Sequence, residues 1–171
     1  IVMNAIHYAS KKDTTKGSFE VVADYGKYEN AMKVFPSTAC FTEGEDSASL
    51  TYQFVIDKAG TYRVELYTAP NNSVENKKSV NVMADNHLGV TKKVELLSED
   101  YRAGENSEPR WAIGVLDQIH KAVFELPFEE GIQSLTLSAL ESGVVLEQIV
   151  IVPAGKQMKS GYLGPKECSR I

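Results

Sequence analysis

The 171-residue sequence has little of what enzyme and membrane signatures require. It contains two cysteines, one tryptophan and three histidines. No stretch approaches the roughly 18 consecutive apolar residues of a membrane span. No basic segment followed by an apolar run marks a signal peptide. A net charge of −5 gives no electrostatic reason to bind nucleic acid or anionic lipid, so we expect neither partner.

The two cysteines, Cys40 and Cys168, leave two interpretations open. In an oxidising compartment they would pair and close a very long loop. We favour two small, partly buried thiols. No pair of cysteines or histidines has the spacing of zinc ligands, so the sequence predicts no metal site and no cofactor.

Alternation is the strongest signal in the sequence. Apolar and polar side chains alternate in several short segments, at residues 50–56, 62–67, 80–84 and 135–137. Half-buried antiparallel strands require this pattern. Turn signals at 57–60 and 129–131 separate such segments by the length of a hairpin loop. We therefore expect an all-β fold of about ten strands in two packed antiparallel sheets.

The pattern also predicts the extent of the domain and its core. One domain covers residues 1–171, and its tail, 153–171, is irregular because the alternation ends there. Tyr162 and Leu163 are expected to pack that tail against the sandwich. Eight apolar or aromatic residues at alternating positions are expected in the core: Leu50, Tyr52, Phe54, Val64, Leu66, Leu135, Leu137 and Val150.

Residues 112–126 are ambiguous between helix and strand. Gly114 and several β-branched residues weaken the helical interpretation, so we predict two strands around a turn near Gln118.

No catalytic constellation is apparent. None of the histidines lies in a recognisable motif, and His7 is expected to be a packed, hydrogen-bonded residue of an N-terminal strand. Neither a Gly-x-Ser-x-Gly elbow nor a phosphate-binding glycine-rich loop occurs. The acidic cluster at 43–46 is expected to be solvated, since sequence adjacency does not set the separation that paired glycosidase carboxylates need. The chain is therefore predicted not to be an enzyme.

The best candidate binding region is the long polar loop at 98–110, because loops on a β scaffold often hold binding residues. We place a ligand or partner at the loop end that holds six residues: Tyr101, Asn106, Arg110 and Trp111, with Asp85 and Asn86 as neighbours. Trp111 is either an exposed ring that stacks on a sugar or a filler of the core. Tryptophan and arginine also dominate protein interfaces.

Several stretches resemble a known family. Residues 161–167, Gly-Tyr-Leu-Gly-Pro-Lys-Glu, resemble a family ending, Ser-Tyr-Leu-Gly-Pro-Pro-Glu-Ser. Residues 143–151 resemble its Gly-Val-Val-Leu-Gln-Lys-Ile-Val-Ile strand, and 5–8 its opening Ala-Glu-His-Tyr. Residues 24–27 are similar to its Gly-Leu-Gly-Arg turn. The chain thus resembles, over nearly its whole length, the C-terminal domain of glycoside hydrolase family 115, the xylan α-1,2-glucuronidases.

The resemblance implies a jelly-roll sandwich like the carbohydrate-binding modules of families 6 and 35. It implies a non-catalytic accessory domain that gives structural support, makes interdomain or dimer contacts and binds glycan weakly. The implied partners are upstream catalytic domains of the same polypeptide, glucuronoxylan or a related oligosaccharide, and a second copy of the parent enzyme. The alternative is an independent carbohydrate-binding module that targets a plant polysaccharide.

Two further expectations depend on the resemblance. The family implies a secreted or periplasmic protein. Related modules often hold calcium with a glutamate of the opening strand, but this chain has Ile6 at that place, and an apolar side chain cannot replace an oxygen ligand. At the predicted site, the ring of Trp111 would stack on a pyranose while Arg110 holds a uronic carboxylate in a bidentate pair.

Overall fold

The computed structural model describes residues 1–43, 46–70, 80–98 and 109–168. Eleven strands and one helix lie in these ranges, and that helix is not long and apolar enough to cross a membrane. In chain order the elements are β1 (Val2–Asn4), β2 (Ser10–Lys12), β3 (Ser18–Val22), β4 (Ala31–Phe35), β5 (Ser49–Ile56), β6 (Gly60–Thr68), β7 (Val80–Asn86), β8 (Thr91–Leu97), α1 (Pro109–Asp117), β9 (His120–Phe128), β10 (Gly131–Ala139) and β11 (Val145–Pro153).

The strands form two antiparallel sheets, which confirms the predicted sandwich. One sheet has the order β3-β4-β11-β6-β9, with β1 paired to β11 as a sixth strand. The other has the order β2-β5-β10-β7-β8. Helix in the described residues is limited to the nine residues of α1, far below the helical third that would have excluded an all-β fold.

The loops that look like hairpins in the sequence have a different role. Residues 57–60 join β5 of the five-stranded sheet to β6 of the six-stranded sheet. Residues 129–131 likewise lead from β9 in one sheet to β10 in the other. The hairpin interpretation of these loops was therefore wrong. These short loops instead cross from one sheet to the other, and β5, β6, β9 and β10 pair with strands from other parts of the chain.

All eight predicted core residues are buried, with exposures of 0–1%. Seven of them belong to the large cluster between the sheets. Val150 instead joins a second cluster with Val2, Tyr28, Tyr67 and Ile119. Because neighbouring strand residues point to opposite faces, and Ile149 and Ile151 belong to the inter-sheet core, this second cluster lies on the outer face of the six-stranded sheet.

The ambiguous segment contains both a helix and a strand. The prediction of two strands was wrong in its first half, where α1 occupies Pro109–Asp117, and right in its second half, β9. Gln118 forms the turn between them with a left-handed φ of 56°. Gly114 lies on the side of α1 that faces the backbone of Ile119, where an added Cβ would be 3.5 Å from the carbonyl oxygen. The glycine therefore allows α1 to lie close to the chain that follows it.

Two expectations about the ends of the chain were wrong, and the expectation about the two thiols was wrong in their burial. The opening strand ends at Asn4, and the His7 amide donates to the Asn4 carbonyl at 3.0 Å in a turn rather than in a ladder. Tyr162 and Leu163 are 59% and 79% exposed, because other tail residues make the packing contacts. The two cysteines, Cys40 and Cys168, are free thiols and exposed rather than partly buried.

Candidate functional site

The predicted loop-end site is only partly within the described residues. Tyr101 and Asn106 lie outside them. Arg110 and Trp111 lie in the first turn of α1, and the exposed guanidinium of Arg110 donates through Nη1 to Ser98 Oγ at 2.9 Å. This bond joins the start of the helix to the end of β8. The helix therefore fixes the backbone positions of both residues.

Asp85 and Asn86 lie at the other end of the β7–β8 hairpin. Asn86 is 6% exposed; its Nδ2 donates to the Pro127 carbonyl at 2.7 Å, while its Oδ1 accepts the amides of Leu88 and Val90 at 3.1 and 2.9 Å. These bonds stabilise the hairpin turn and use the side-chain amide of Asn86 that would otherwise bind a ligand. Asn86 is thus a structural residue of the turn.

Asp85 pairs across the hairpin with Thr91, whose hydroxyl donates to Asp85 Oδ1. It lines a groove of about 320 Å³ together with Lys12, Ser47 and Ser49. Thr91 starts β8 and Ser98 follows its end, so Asp85 and the Arg110 contact are separated by the strand's length, roughly 20 Å at about 3.3 Å per residue. The structure does not bring the two halves of the predicted site together.

A second hollow, absent from the sequence prediction, lies on the outer side of the six-stranded sheet. It has a volume of about 370 Å³ and is bounded by the β3–β4 loop, the end of α1, the start of β9 and the tail. We call it the tail pocket; it is lined by Lys27, Tyr28, Tyr67, Asp117, Ile119, Lys121, Ser160, Gly161, Tyr162 and Gly164.

Two ammonium groups face tyrosine rings in the tail pocket. Lys27 Nζ lies 3.9 Å from the centre of the Tyr162 ring, and Lys121 Nζ lies 4.6 Å from that of Tyr67. Both distances are within the range of cation–π attraction. Lys27 Nζ also donates to the Asp117 carbonyl at 2.8 Å, which ties the β3–β4 loop to the end of α1.

Buried polar groups lie beside the pocket. Tyr28 is 8% exposed and Glu147 is fully buried, and neither the Tyr28 hydroxyl nor Glu147 Oε1 has a hydrogen-bond partner among the described residues. Glu147 Oε2 accepts the Lys27 amide at 2.7 Å. Burial raises the pKa of Glu147 to about 7, and burial together with this carboxylate raises the pKa of Tyr28 to about 12.

Two glycines allow the chain to approach these groups. A Cβ on Gly26 would lie 2.5 Å from the carboxyl carbon of Glu147, and a Cβ on Gly164 would lie 1.8 Å from the Tyr28 hydroxyl. Both glycines also have left-handed φ values, 91° and 75°, which other residues rarely adopt. The loop and the tail therefore close over Glu147 and Tyr28 only because no side chain is present there.

The tail is anchored at its far end by a carboxylate. Glu167 Oε1 and Oε2 lie 2.8 and 2.9 Å from His7 Nδ1, and Oε1 also accepts the Asn4 amide at 3.0 Å. Cys168 pairs with Val2 as an isolated bridge, and Gln148 Nε2 donates to the Pro165 carbonyl at 3.2 Å. His7 is thus hydrogen-bonded, as expected, and its partner Glu167 comes from the opposite end of the chain.

The sequence signal for this arrangement lies in the segments that resemble the family. Gly26, His7, Gly164 and Glu167 all belong to the segments that resemble the family. Their contacts explain why such segments, far apart in sequence, occur together. In the part of the chain that the structure describes, no three His, Cys, Asp or Glu side chains cluster as metal ligands would, and Ile6 packs against the inter-sheet core.

Comparison with solved structures finds the same fold in larger enzymes and in isolated modules. A family 115 4-O-methyl-α-glucuronidase with specificity for decorated arabinogalactans matches with a TM-score of 0.62 and 14% identity over 86% of this chain. This chain covers 18% of that enzyme's length. A family 35 carbohydrate-binding module from Cellvibrio japonicus matches with a TM-score of 0.57 and 12% identity, over 89% of this chain and 91% of the module.

A further family 35 module, solved in complex with a disaccharide that contains glucuronic acid, matches with a TM-score of 0.59 and 10% identity. That match covers 94% of this chain and 99% of the module. At such identities these likenesses establish the fold alone. No curated protein sequence matches the chain. The family model described as the glycosyl hydrolase family 115 C-terminal domain matches residues 1–167, and the chain therefore belongs to that family.

Proposed function

We propose that this chain is a non-catalytic accessory domain of a secreted or periplasmic xylan-degrading α-glucuronidase. Its role is to support the upstream catalytic domains of the same polypeptide and to bind glycan weakly. The observation that carries this proposal is the family match over residues 1–167 on a complete two-sheet sandwich. In the described residues the sandwich has its own inter-sheet core.

The chemistry of the buried carboxylates supports a role other than catalysis. Glu65 accepts Arg63 Nε at 2.7 Å and the Tyr67 hydroxyl at 3.1 Å, so its oxygens are used within the sheet. Glu147 is enclosed by the chain, and Glu167 is engaged by His7. A glycosidase needs two carboxyl groups on either side of an accessible bond, and these three serve the protein's own packing.

An exposed apolar face supports contact with another domain or with a second copy of the enzyme. On α1, Ile113, Val115 and Leu116 are 58%, 44% and 74% exposed, and Leu163 of the adjoining tail is 79% exposed. Ile113 and Leu116 are three residues apart on the helix and share one face, and exposed apolar patches mark interaction sites. Structural support and dimer contact would both use such a face.

Glycan binding is proposed at the start of α1, where Arg110 and Trp111 lie. The experiment is affinity electrophoresis of the isolated chain in gels with and without glucuronoxylan. We expect retardation that Arg110→Gln and Trp111→Ala remove while the thermal midpoint stays unchanged, and no release of glucuronic acid. Turnover that a single carboxylate substitution abolishes would overturn the non-catalytic assignment.

The second candidate function is an independent carbohydrate-binding module, and the likeness to isolated family 35 modules favours it. The two candidates differ in whether the chain alone is enough to bind the polysaccharide. An independent module retains its affinity for the polysaccharide when produced alone. An accessory domain shows its main effect on the stability or dimerisation of the parent enzyme, which Ile113→Ser with Leu116→Ser would weaken.

A further inference from the structure

We propose that the tail pocket binds the carboxylate-bearing sugar unit, a uronate, of an acidic glycan. This inference deepens the proposed glycan-binding function and rests on it, but it assigns a place different from the Arg110–Trp111 loop end. The pocket combines two cations and several tyrosine rings in a volume of about 370 Å³. That volume is within the range of small-ligand sites.

The charge of the pocket contrasts with that of the chain. The protein has a net charge of −5, yet Lys27 and Lys121 both face the tail pocket. Within the described ranges, these ammonium groups contact tyrosine rings and the Asp117 carbonyl, and Lys27 also attracts the buried carboxyl group of Glu147. Each ammonium has three donors, so donors remain for an anion.

The other lining groups favour a sugar acid over a simple inorganic anion. The carboxylate of Asp117 would repel a dianion such as phosphate, but it accepts hydrogen bonds from sugar hydroxyls. Ser160 adds a hydroxyl that both donates and accepts hydrogen bonds. Tyr162 is 59% exposed and offers a flat ring to the apolar face of a pyranose.

The Tyr28 hydroxyl lies beneath the tail at the wall of the pocket. Its oxygen is buried and has no partner among the described residues, and a Cβ on Gly164 would lie 1.8 Å from it. Tyr28 therefore lines the pocket with its ring, while its hydroxyl stays out of a ligand's reach.

The test is an amide NMR titration of the 171-residue chain with methyl α-glucuronoside, and with the neutral methyl α-glucoside as matched ligand. We expect saturable shifts at Lys27, Lys121 and Ser160 with the uronate alone. Lys121→Gln should weaken this binding roughly tenfold, the effect of losing one charge-assisted hydrogen bond. Lys93→Gln is the matched control, since Lys93 pairs with Glu43 outside the pocket, and it should leave the affinity unchanged.

Several results would overturn the pocket assignment. Equal binding of glucuronoside and glucoside, or of inorganic phosphate with the same shifts, would show that no uronate is recognised. Shifts confined to Arg110 and Trp111, unaffected by Lys121→Gln, would refute the tail pocket and support the loop-end site of the proposed function. An absence of shifts with retained binding to glucuronoxylan in gels would refute the pocket alone.

Discussion

The outer faces of the two sheets differ in what covers them. On the five-stranded sheet, Val55 and Ile132 face each other across β5 and β10 and are 46% and 66% exposed. On the six-stranded sheet, Glu65, Tyr67 and Val150 occupy outward positions and are 4%, 1% and 0% exposed. The first face is the solvated side that an antiparallel sheet usually has. The second is covered by the tail and by the ends of loops.

The difference shows where this sandwich departs from a two-layer domain. Met158 of the tail packs against the second apolar cluster, and Glu167 fastens the tail to β1. The tail thus forms a partial third layer, and polar groups of the sheet are buried beneath it. Burial of polar groups costs free energy unless they are paired, so the covered face should be sensitive to mutation and to pH, whereas the open face should not.

The largest expected effect is that of Gly164→Ala. The new Cβ would lie 1.8 Å from the Tyr28 hydroxyl, and the residue would have to keep a φ of 75°. We expect a loss of about 4 kcal/mol in the free energy of unfolding, from overpacking and left-handed strain together. Urea denaturation measures this loss.

Gly155→Ala is the matched control for that variant. Gly155 has a φ of 78°, but no atom lies within 4 Å of its added Cβ. This variant should therefore lose only the backbone term, about 1 kcal/mol. Equal losses in the two variants would mean that the tail does not press on Tyr28.

Glu147→Gln should change how stability depends on pH. Because burial raises the pKa of Glu147 to about 7 from an ordinary 4.5, the folded state binds a proton that the unfolded state has released. The contribution of this group is therefore least unfavourable below about pH 4.5, and stability falls as the pH rises towards 7. The stability lost over this pH range is roughly 3 kcal/mol, since one pKa unit is worth about 1.4 kcal/mol.

The measurement is urea denaturation at pH 5 and pH 8.5 for the wild type and Glu147→Gln. We expect the variant to be the more stable protein at pH 8.5, with the difference shrinking at pH 5. Glu43→Gln, which removes an exposed carboxylate paired with Lys93, serves as control and should not alter the pH dependence appreciably. A Glu147→Gln curve parallel to the wild type would contradict the raised pKa.

The local parts of the fold were predictable from the sequence, and the parts that depend on distant contacts were not. Alternation identified the strands that contain Leu50, Tyr52 and Leu135 because a strand's burial pattern is a local property. The same loop length serves a hairpin or a crossing between sheets, so residues 57–60 gave no information on pairing. In α1, packing beside Ile119 overrides the weak helix propensity of Gly114.

The candidate site was less predictable than the fold. Arg110 and Trp111 are adjacent in sequence and lie near the end of β8, but Asp85 and Asn86 end β7, beside the start of β8. The tail pocket needs segments near residues 27, 120 and 162 to meet. No local pattern in the sequence specifies such a meeting. The family-like segments were the available signal, because Gly164 and Glu167 make contacts with the first 30 residues.

The smallest expected effects come from one substitution made on both outer faces. Val55→Thr on the open face should change the free energy of unfolding by less than about 0.5 kcal/mol, because the side chain is 46% exposed and threonine suits a strand. Val150→Thr on the covered face should cost about 2 kcal/mol, since its hydroxyl would be buried at a position that is 0% exposed. Thermal and urea denaturation of the two variants compare the faces directly. If both losses were below 0.5 kcal/mol, the tail would not exclude water from the sheet, and the third layer inferred from Met158 and Glu167 would have no energetic basis.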